Sequence, residues 1–158
     1  MAHTHEHLCL TSETFIVHNG KVLLRMHEKY HIWLGIGGHI DPGEDPNEAA
    51  VREATEEAGL SITLVGPQPH IGKDEAEYRQ LVAPAFVDRH RVSQTHEHVT
   101  LRFIATSTSD KVRPTNEGDR SDIWKWFTKE ELDDPHYGIR DTIRYYAKAA
   151  LDALSKGS

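Results

Sequence analysis

A chain of 158 residues with 37% hydrophobic content has material for one sizeable core, which fits a single domain and leaves no room for a second. The formal charge is −7 and no Lys/Arg run or basic face is visible, which argues against a nucleic-acid polymer as the main partner. The single Cys9 excludes an internal disulfide framework, no apolar run approaches the roughly 18 residues of a membrane span, and Met1 to Leu8 is polar and His-rich rather than a signal peptide, so a cytoplasmic, reducing location is the default expectation.

Residues 1–12 are expected to form a flexible tail and residues 13–154 one domain. Thr14 to Val17 and Val22 to Leu24 are apolar, β-favouring runs separated by Asn19-Gly20, a strong hairpin signal. Ile32 to Leu34 predicts a short strand leading into Gly35-Ile36-Gly37-Gly38, where the glycines permit a tight bend. A helix follows from Pro46 to about Ala58. Asp45 is its N-cap, Pro46 occupies the first turn where a missing N–H costs nothing, Glu48 completes a capping box, and Gly59 marks the end.

Ile62 to Val65 predicts a strand broken by Gly66-Pro67-Gln68-Pro69. Leu81 to Val87 and the alternating run Val99 to Thr106 are further strand candidates, the first an edge or bulged strand because of Pro84. Trp124 to Phe127 is a last short strand. A helix is expected to begin near Thr128, with Glu131 as capping-box partner, and to end by Pro135. Ile139, Ile143, Tyr146, Ala147, Ala150, Leu151 and Leu154 recur at helical spacing and predict an amphipathic helix from Gly138 to Leu154 that covers the sheet. The fold class is α/β, a mixed sheet between helices.

Chemistry concentrates in Gly38 to Leu60. Between Glu44 and Glu57 lie six acids and one base, Arg52, so −5 of the net −7 sits there. Glu53, Glu56 and Glu57 are related by i, i+3 and i+4 and project from one helix face, while Val51, Ala54 and Ala58 project from another, and Glu48 precedes Arg52 by the favourable i, i+4 step. Three clustered carboxylates repel one another and call for a cation. Hard oxygen donors favour Mg²⁺ or Mn²⁺ over Zn²⁺. Three glutamates on a helix are ordinarily solvated surface, but seven specified identities (Gly38, Glu44, Arg52, Glu53, Glu56, Glu57, Gly59) at fixed spacing arise by chance on the order of once in 10⁸ start positions.

That spacing, Gly-x5-Glu-x7-Arg-Glu-U-x-Glu-Glu-x-Gly-U with U aliphatic, resembles the signature of the Nudix family, hydrolases of nucleoside diphosphates linked to another group. The resemblance implies an α/β/α sandwich and attack of water on one phosphorus of a diphosphate. It implies that Glu53, Glu56 and Glu57 hold Mg²⁺ (or Mn²⁺) with backbone help from Gly37 and Gly38, and that Arg52 orients carboxylates in a network with Glu44. Either Glu53 or Glu56 stands near the attacking water. Relatives often recruit a further acid from a loop; of the three acids in the segment Asn116 to Asp122, Glu117 is the first choice here and Asp119 the second, against the alternative of solvated loop acids. Ile36 stands where relatives usually have proline, and the aliphatic site after Glu53 holds the small Ala54.

A small nucleotide carrying a diphosphate is the expected partner, and a nucleoside triphosphate releasing pyrophosphate is one such substrate. Tyr78, Arg79 and Trp33 are substrate-binding candidates, with Tyr30 as a further base-flanking ring and Arg25, Lys29, Lys73, Arg89 and Arg102 available to phosphate oxygens. For Trp33 a place in the core is the competing expectation. Of the 12 histidines, His3, His5 and His7 alternate at the terminus and His96 and His98 share a strand face; solvent-facing residues are the ordinary reading and a transition-metal site the other. Two further classes are a non-catalytic Nudix-fold nucleotide sensor, against which the intact carboxylates count, and an isoprenoid diphosphate isomerase, for which Cys9 is poorly placed. The sequence leaves a homodimer open.

Overall fold

The computed structural model describes residues 7–71, 78–117 and 122–155. Among these residues eight strands form one branched sheet: β1 (His7–His18), β2 (Lys21–His27), β3 (Ile32–Leu34), β4 (Ile36–His39), β5 (Ile62–Val65), β6 (Phe86–Ser93), β7 (His96–Ser107) and β8 (Ile123–Phe127). Two α-helices among the described residues, α1 (Pro46–Ala58) and α2 (Asp141–Ser155), accompany it. The long strands β1 and β7 run parallel over His7 to Val17 and form the spine. Along its other edge β1 pairs antiparallel with β4 near Thr11 to Thr14 and with β2 near its end, while β7 carries β6 and β5 on its far edge.

The sheet is two-faced because side chains alternate along each strand. Ile16, Leu23, Ile36 and Ala105 point to one face and pack against Ala54 and Ala58 of α1. Phe15, Val17, Leu24 and Phe127 point to the other and pack against Ile143, Ala147, Ala150 and Leu151 of α2. The result is the α/β/α layering expected from the sequence. No helix among the described residues is long and apolar enough to cross a membrane.

Local signals decide the best-matched elements. Val17 pairs with Val22 and His18 with Lys21, so the turn is Asn19-Gly20, with φ of 47° and 73° at its two residues. Both lie in the left-handed region that a two-residue hairpin of this hand requires. The Thr128/Glu131 capping box also forms, since Thr128 N–H donates to Glu131 and Glu131 N–H to Thr128 Oγ1. It caps only a single 3₁₀ turn, Glu131–Asp133, because Pro135 begins a second short turn.

Several expectations are corrected. Strand β1 starts at His7, so residues 7–12 belong to the sheet rather than to a tail; residues 1–6 lie outside the described set. The Ile36–His39 glycine segment is a strand, not merely a bend, because it finds β1 as a partner at Thr11 to Thr14. The Leu81 to Val87 strand shifts to Phe86–Ser93, since Pro84 lacks the N–H that ladder pairing needs and Ala83 N–H is taken by Pro67 O. Helix α2 begins at Asp141, three residues past the left-handed Gly138.

Candidate active site

Helix α1 is fixed at both ends by its own sequence. Asp45 accepts from the N–H groups of Asn47 and Glu48, Glu48 returns a bond from Asp45 N–H at 3.0 Å, and Gly59 closes the helix in the left-handed conformation. This sets the rotation of the helix over β4. Gly37 N–H donates to Glu57 Oε2 at 3.0 Å. A Cβ on Gly37 would run into the Ser12 carbonyl and one on Gly38 into the Glu53 carboxylate, so both glycines permit approaches that a side chain would block.

Arg52 organises one half of the site. Its Nε and NH2 grip Glu44 as a fork at 2.7 and 3.0 Å, NH1 reaches Glu53 at 2.9 Å and Glu56 at 3.1 Å, and NH2 also donates to His39 O. A planar guanidinium with five donors suits this role. Its bond to Glu44 lowers the pKa of that carboxyl and raises that of the guanidinium. Glu48, expected beside Arg52, instead pairs with Arg79 at 2.7 Å.

Arg25 organises the other half. From β2 its NH1 lies 2.6 Å from Glu57 Oε1, with both side chains nearly enclosed, and its Nε lies 3.5 Å from Asp122 Oδ2. Asp122 also accepts from Glu28 N–H. The sequence places Arg25 only among possible phosphate contacts, and Asp122 only as the third of the loop acids behind Glu117 and Asp119. A charge in the apolar run Val22-Leu23-Leu24-Arg25-Met26, in phase with the buried Leu23, was the available signal for Arg25.

The three box glutamates do not stand equally in solvent. Side-chain exposure is 10% for Glu57 and 13% for Glu53 but 46% for Glu56. Glu57 thus lies on the buried side of α1 with Ala54 and Ala58, whereas Val51, expected there, is exposed. Burial pushes the Glu53 carboxyl above the usual glutamate range despite the opposing bond from Arg52. Glu44, Glu53, Glu56 and Glu57, with Asp41 and Asp122 at the margins, face the two guanidinium groups of Arg52 and Arg25, so among the described residues carboxylates outnumber guanidinium groups here. An all-oxygen donor set with that excess fits a hard divalent cation.

A cavity of about 210 Å³ opens beside this cluster, bounded by Glu13, Arg25, Gly37, Gly38 and Arg102 among others. Glu13 accepts from Gly35 N–H at 2.7 Å and touches Arg102, which also pairs with Asp88. Burial lowers the Arg102 pKa.

The remaining candidates separate. Trp33 is 4% exposed, packs edge-on to Phe127 and donates Nε1–H to Tyr137 O, so its ring is core and not a stacking surface. Arg79 pairs with Asp45 and Glu48 at the start of α1, away from the carboxylate face. Tyr78 is exposed, and Tyr30 is exposed with Lys29 over its ring. Glu117 is exposed two residues beyond Thr115, whose N–H and hydroxyl both donate to Glu56 O. Asp119, Lys73, His3 and His5 lie outside the described residues.

A family model described as NUDIX domain matches residues 13–148. The chain belongs to the NUDIX family. It is 33% identical over 129 residues to an RNA pyrophosphohydrolase of Mesorhizobium japonicum, across 79% of this chain and 73% of that one. It is 32% identical over 100 residues to an oxidized purine nucleoside triphosphate hydrolase of Mus musculus, across 63% of this chain and 51% of that one. Among solved structures, a NUDIX-family hydrolase from Clostridium perfringens superposes with a TM-score of 0.81 at 38% identity, covering 92% of this chain and 97% of that one. Membership makes this Nudix protein a diphosphohydrolase, cleaving a diphosphate linkage in a nucleotide-type substrate with the divalent metal ion on which the family depends.

Proposed function

We propose that the ion is Mg²⁺, with Mn²⁺ as a substitute, held by Glu53, Glu56, Glu57 and the backbone of Gly38. The substrate is a small nucleotide, either a nucleoside triphosphate that releases pyrophosphate or a nucleoside diphosphate linked to another moiety. The observation that carries this reading is the excess of carboxylates over guanidinium groups around Arg52 and Arg25, beside a cavity. When bound, the ion supplies neutralisation of phosphate charge.

The chain's own residues do the rest. Arg52 holds Glu44, Glu53 and Glu56 through hydrogen bonds from one guanidinium, so these carboxylates are positioned before substrate arrives. Gly37 N–H and Arg25 fix the two oxygens of Glu57. Glu53, whose proton affinity is raised by burial, and the more exposed Glu56 are the two groups suited to take a proton from water. Glu117, on the loop tied to the Glu56 carbonyl, is the outer acid of this arrangement. Tyr78, exposed, is a candidate surface for a base. A reducing, cytoplasmic setting accords with the single Cys9.

The test is a panel assayed with Mg²⁺ or Mn²⁺: ordinary and oxidised nucleoside triphosphates, dinucleoside polyphosphates, ADP-ribose, and RNA, the last because the chain is similar to RNA pyrophosphohydrolases. Hydrolysis of a small nucleotide in preference to RNA supports the reading, and ¹⁸O water identifies the phosphorus attacked. Preference for the RNA, or hydrolysis of none, overturns it.

A further inference from the structure

Strand pairing gathers a second set of donors that the carboxylate site does not use. Cys9 of β1 lies opposite His98 of β7, His98 lies opposite His90 of β6, and Thr11, two residues after Cys9, lies opposite His39 of β4. Alternation places Cys9, His39, His90, His96 and His98 on one face of the sheet. Donor atoms of Cys9, His39 and His96 all fall within 4.8 Å of one another. The rings of His39 and His98 meet edge to face at 5.0 Å.

We propose that Cys9, His39 and His96 form a binding site for a borderline-soft divalent ion of the Zn²⁺ class, separate from the carboxylate site of α1. Two imidazoles and a thiol are the wrong donors for Mg²⁺ and the right ones for Zn²⁺. Bond lengths of about 2.0–2.3 Å place tetrahedral donor atoms roughly 3.3–3.8 Å apart, so the three side chains need to draw in by only about 1 Å. Two of them ride on neighbouring strands of the rigid spine and the third on β4, which is paired to that spine. His98 Nε2 lies 2.9 Å from His96 Nε2, and one of the two must carry the hydrogen; His98 is thereby a positioning residue for the His96 ring. Three protein donors leave a coordination position open, and His39 and His98 line the same cavity as Gly37 and Gly38. Binding converts the Cys9 thiol to thiolate and releases its proton to solvent.

The experiment titrates the full-length protein, in a large excess of Mg²⁺, with Co²⁺ followed by absorbance and with Zn²⁺ by competition against a chromophoric chelator. A thiolate-to-cobalt charge-transfer band is expected and should vanish in Cys9→Ser. His39→Ala, at an exposed position that the fold tolerates, should weaken Zn²⁺ binding by about 100-fold, and His98→Ala by about 10- to 100-fold. Glu57→Gln should leave Zn²⁺ affinity unchanged. The proposal is overturned if the band is absent from the unmodified protein, or if Zn²⁺ affinity falls in Glu57→Gln. It is equally overturned if uptake survives Cys9→Ser and His39→Ala and disappears only when His3 and His5 are replaced by Ala.

Discussion

Arg25 NH1 lies 2.6 Å from Glu57 Oε1, a pair nearly closed to solvent that ties the middle of β2 to the last turn of α1. Removing one member of a buried ion pair leaves the other charge without its main partner, at a cost of about 3–5 kcal/mol. Arg25→Ala should therefore lower the melting temperature markedly in the absence of metal. Added Mg²⁺ restores positive charge beside Glu57, so it should raise the melting temperature of the variant more than that of the unmodified protein. Equal shifts in a thermal melt would contradict this.

Gly37 and Gly38 are adjacent but should fail in different ways. A Cβ on Gly37 meets the backbone of β1 at Ser12, which cannot move without breaking the β1–β4 pairing, so Gly37→Ala should cost about 3 kcal/mol of stability. A Cβ on Gly38 meets the end of the Glu53 side chain, which can turn away. Gly38→Ala should cost only about 1 kcal/mol in stability yet lower kcat by about 100-fold, because Glu53 is displaced. Chemical denaturation and steady-state kinetics on the two variants separate these outcomes.

Arg52 grips Glu44 with two donors and reaches two further glutamates, a fan that a lysine cannot reproduce. Arg52→Lys preserves charge and loses geometry. It should raise the Mg²⁺ concentration needed for half-maximal rate by about tenfold, an effect of about 1.4 kcal/mol, with a smaller change in melting temperature. A Mg²⁺ titration of activity reads this directly.

Metal affinity should depend on pH through Glu53. Burial raises its folded pKa above the ordinary glutamate value of 4.5, so the folded protein holds this proton more tightly than the unfolded chain. The contribution to metal-free stability is complete below 4.5 and is lost as pH rises through the higher folded value. Conversely, a cation must displace that proton, and Mg²⁺ affinity should fall as pH drops through the folded value. Calorimetric titrations across this range should show the fall, and Glu53→Gln should flatten that component of it.

What was legible in the sequence was local. Asp45, Pro46, Glu48 and Gly59 determine α1 through bonds within a few residues, and Asn19-Gly20 determines the first hairpin through its own backbone. Glu57 on the sheet-facing side of α1 was less legible, because its partners Arg25 and Gly37 N–H come from β2 and β4. Trp33 carried an ambiguous signal that only its edge contact with Phe127, far along the chain, resolves. The meeting of His39 with Cys9 and His96 likewise depends on β1 pairing with β4 on one side and β7 on the other, which no spacing records.

The most direct measurement is kcat for Mg²⁺-dependent nucleotide hydrolysis in Glu57→Gln, at saturating Mg²⁺ and with the fold checked by its thermal melt. Glutamine is close to glutamate in size and removes the charge that Arg25 and Gly37 N–H hold in place. A loss of at least about 100-fold, with the folded state retained, is the predicted result. A folded Glu57→Gln protein that hydrolyses the same nucleotide at the unmodified rate would contradict the assignment of the carboxylate cluster as the active site.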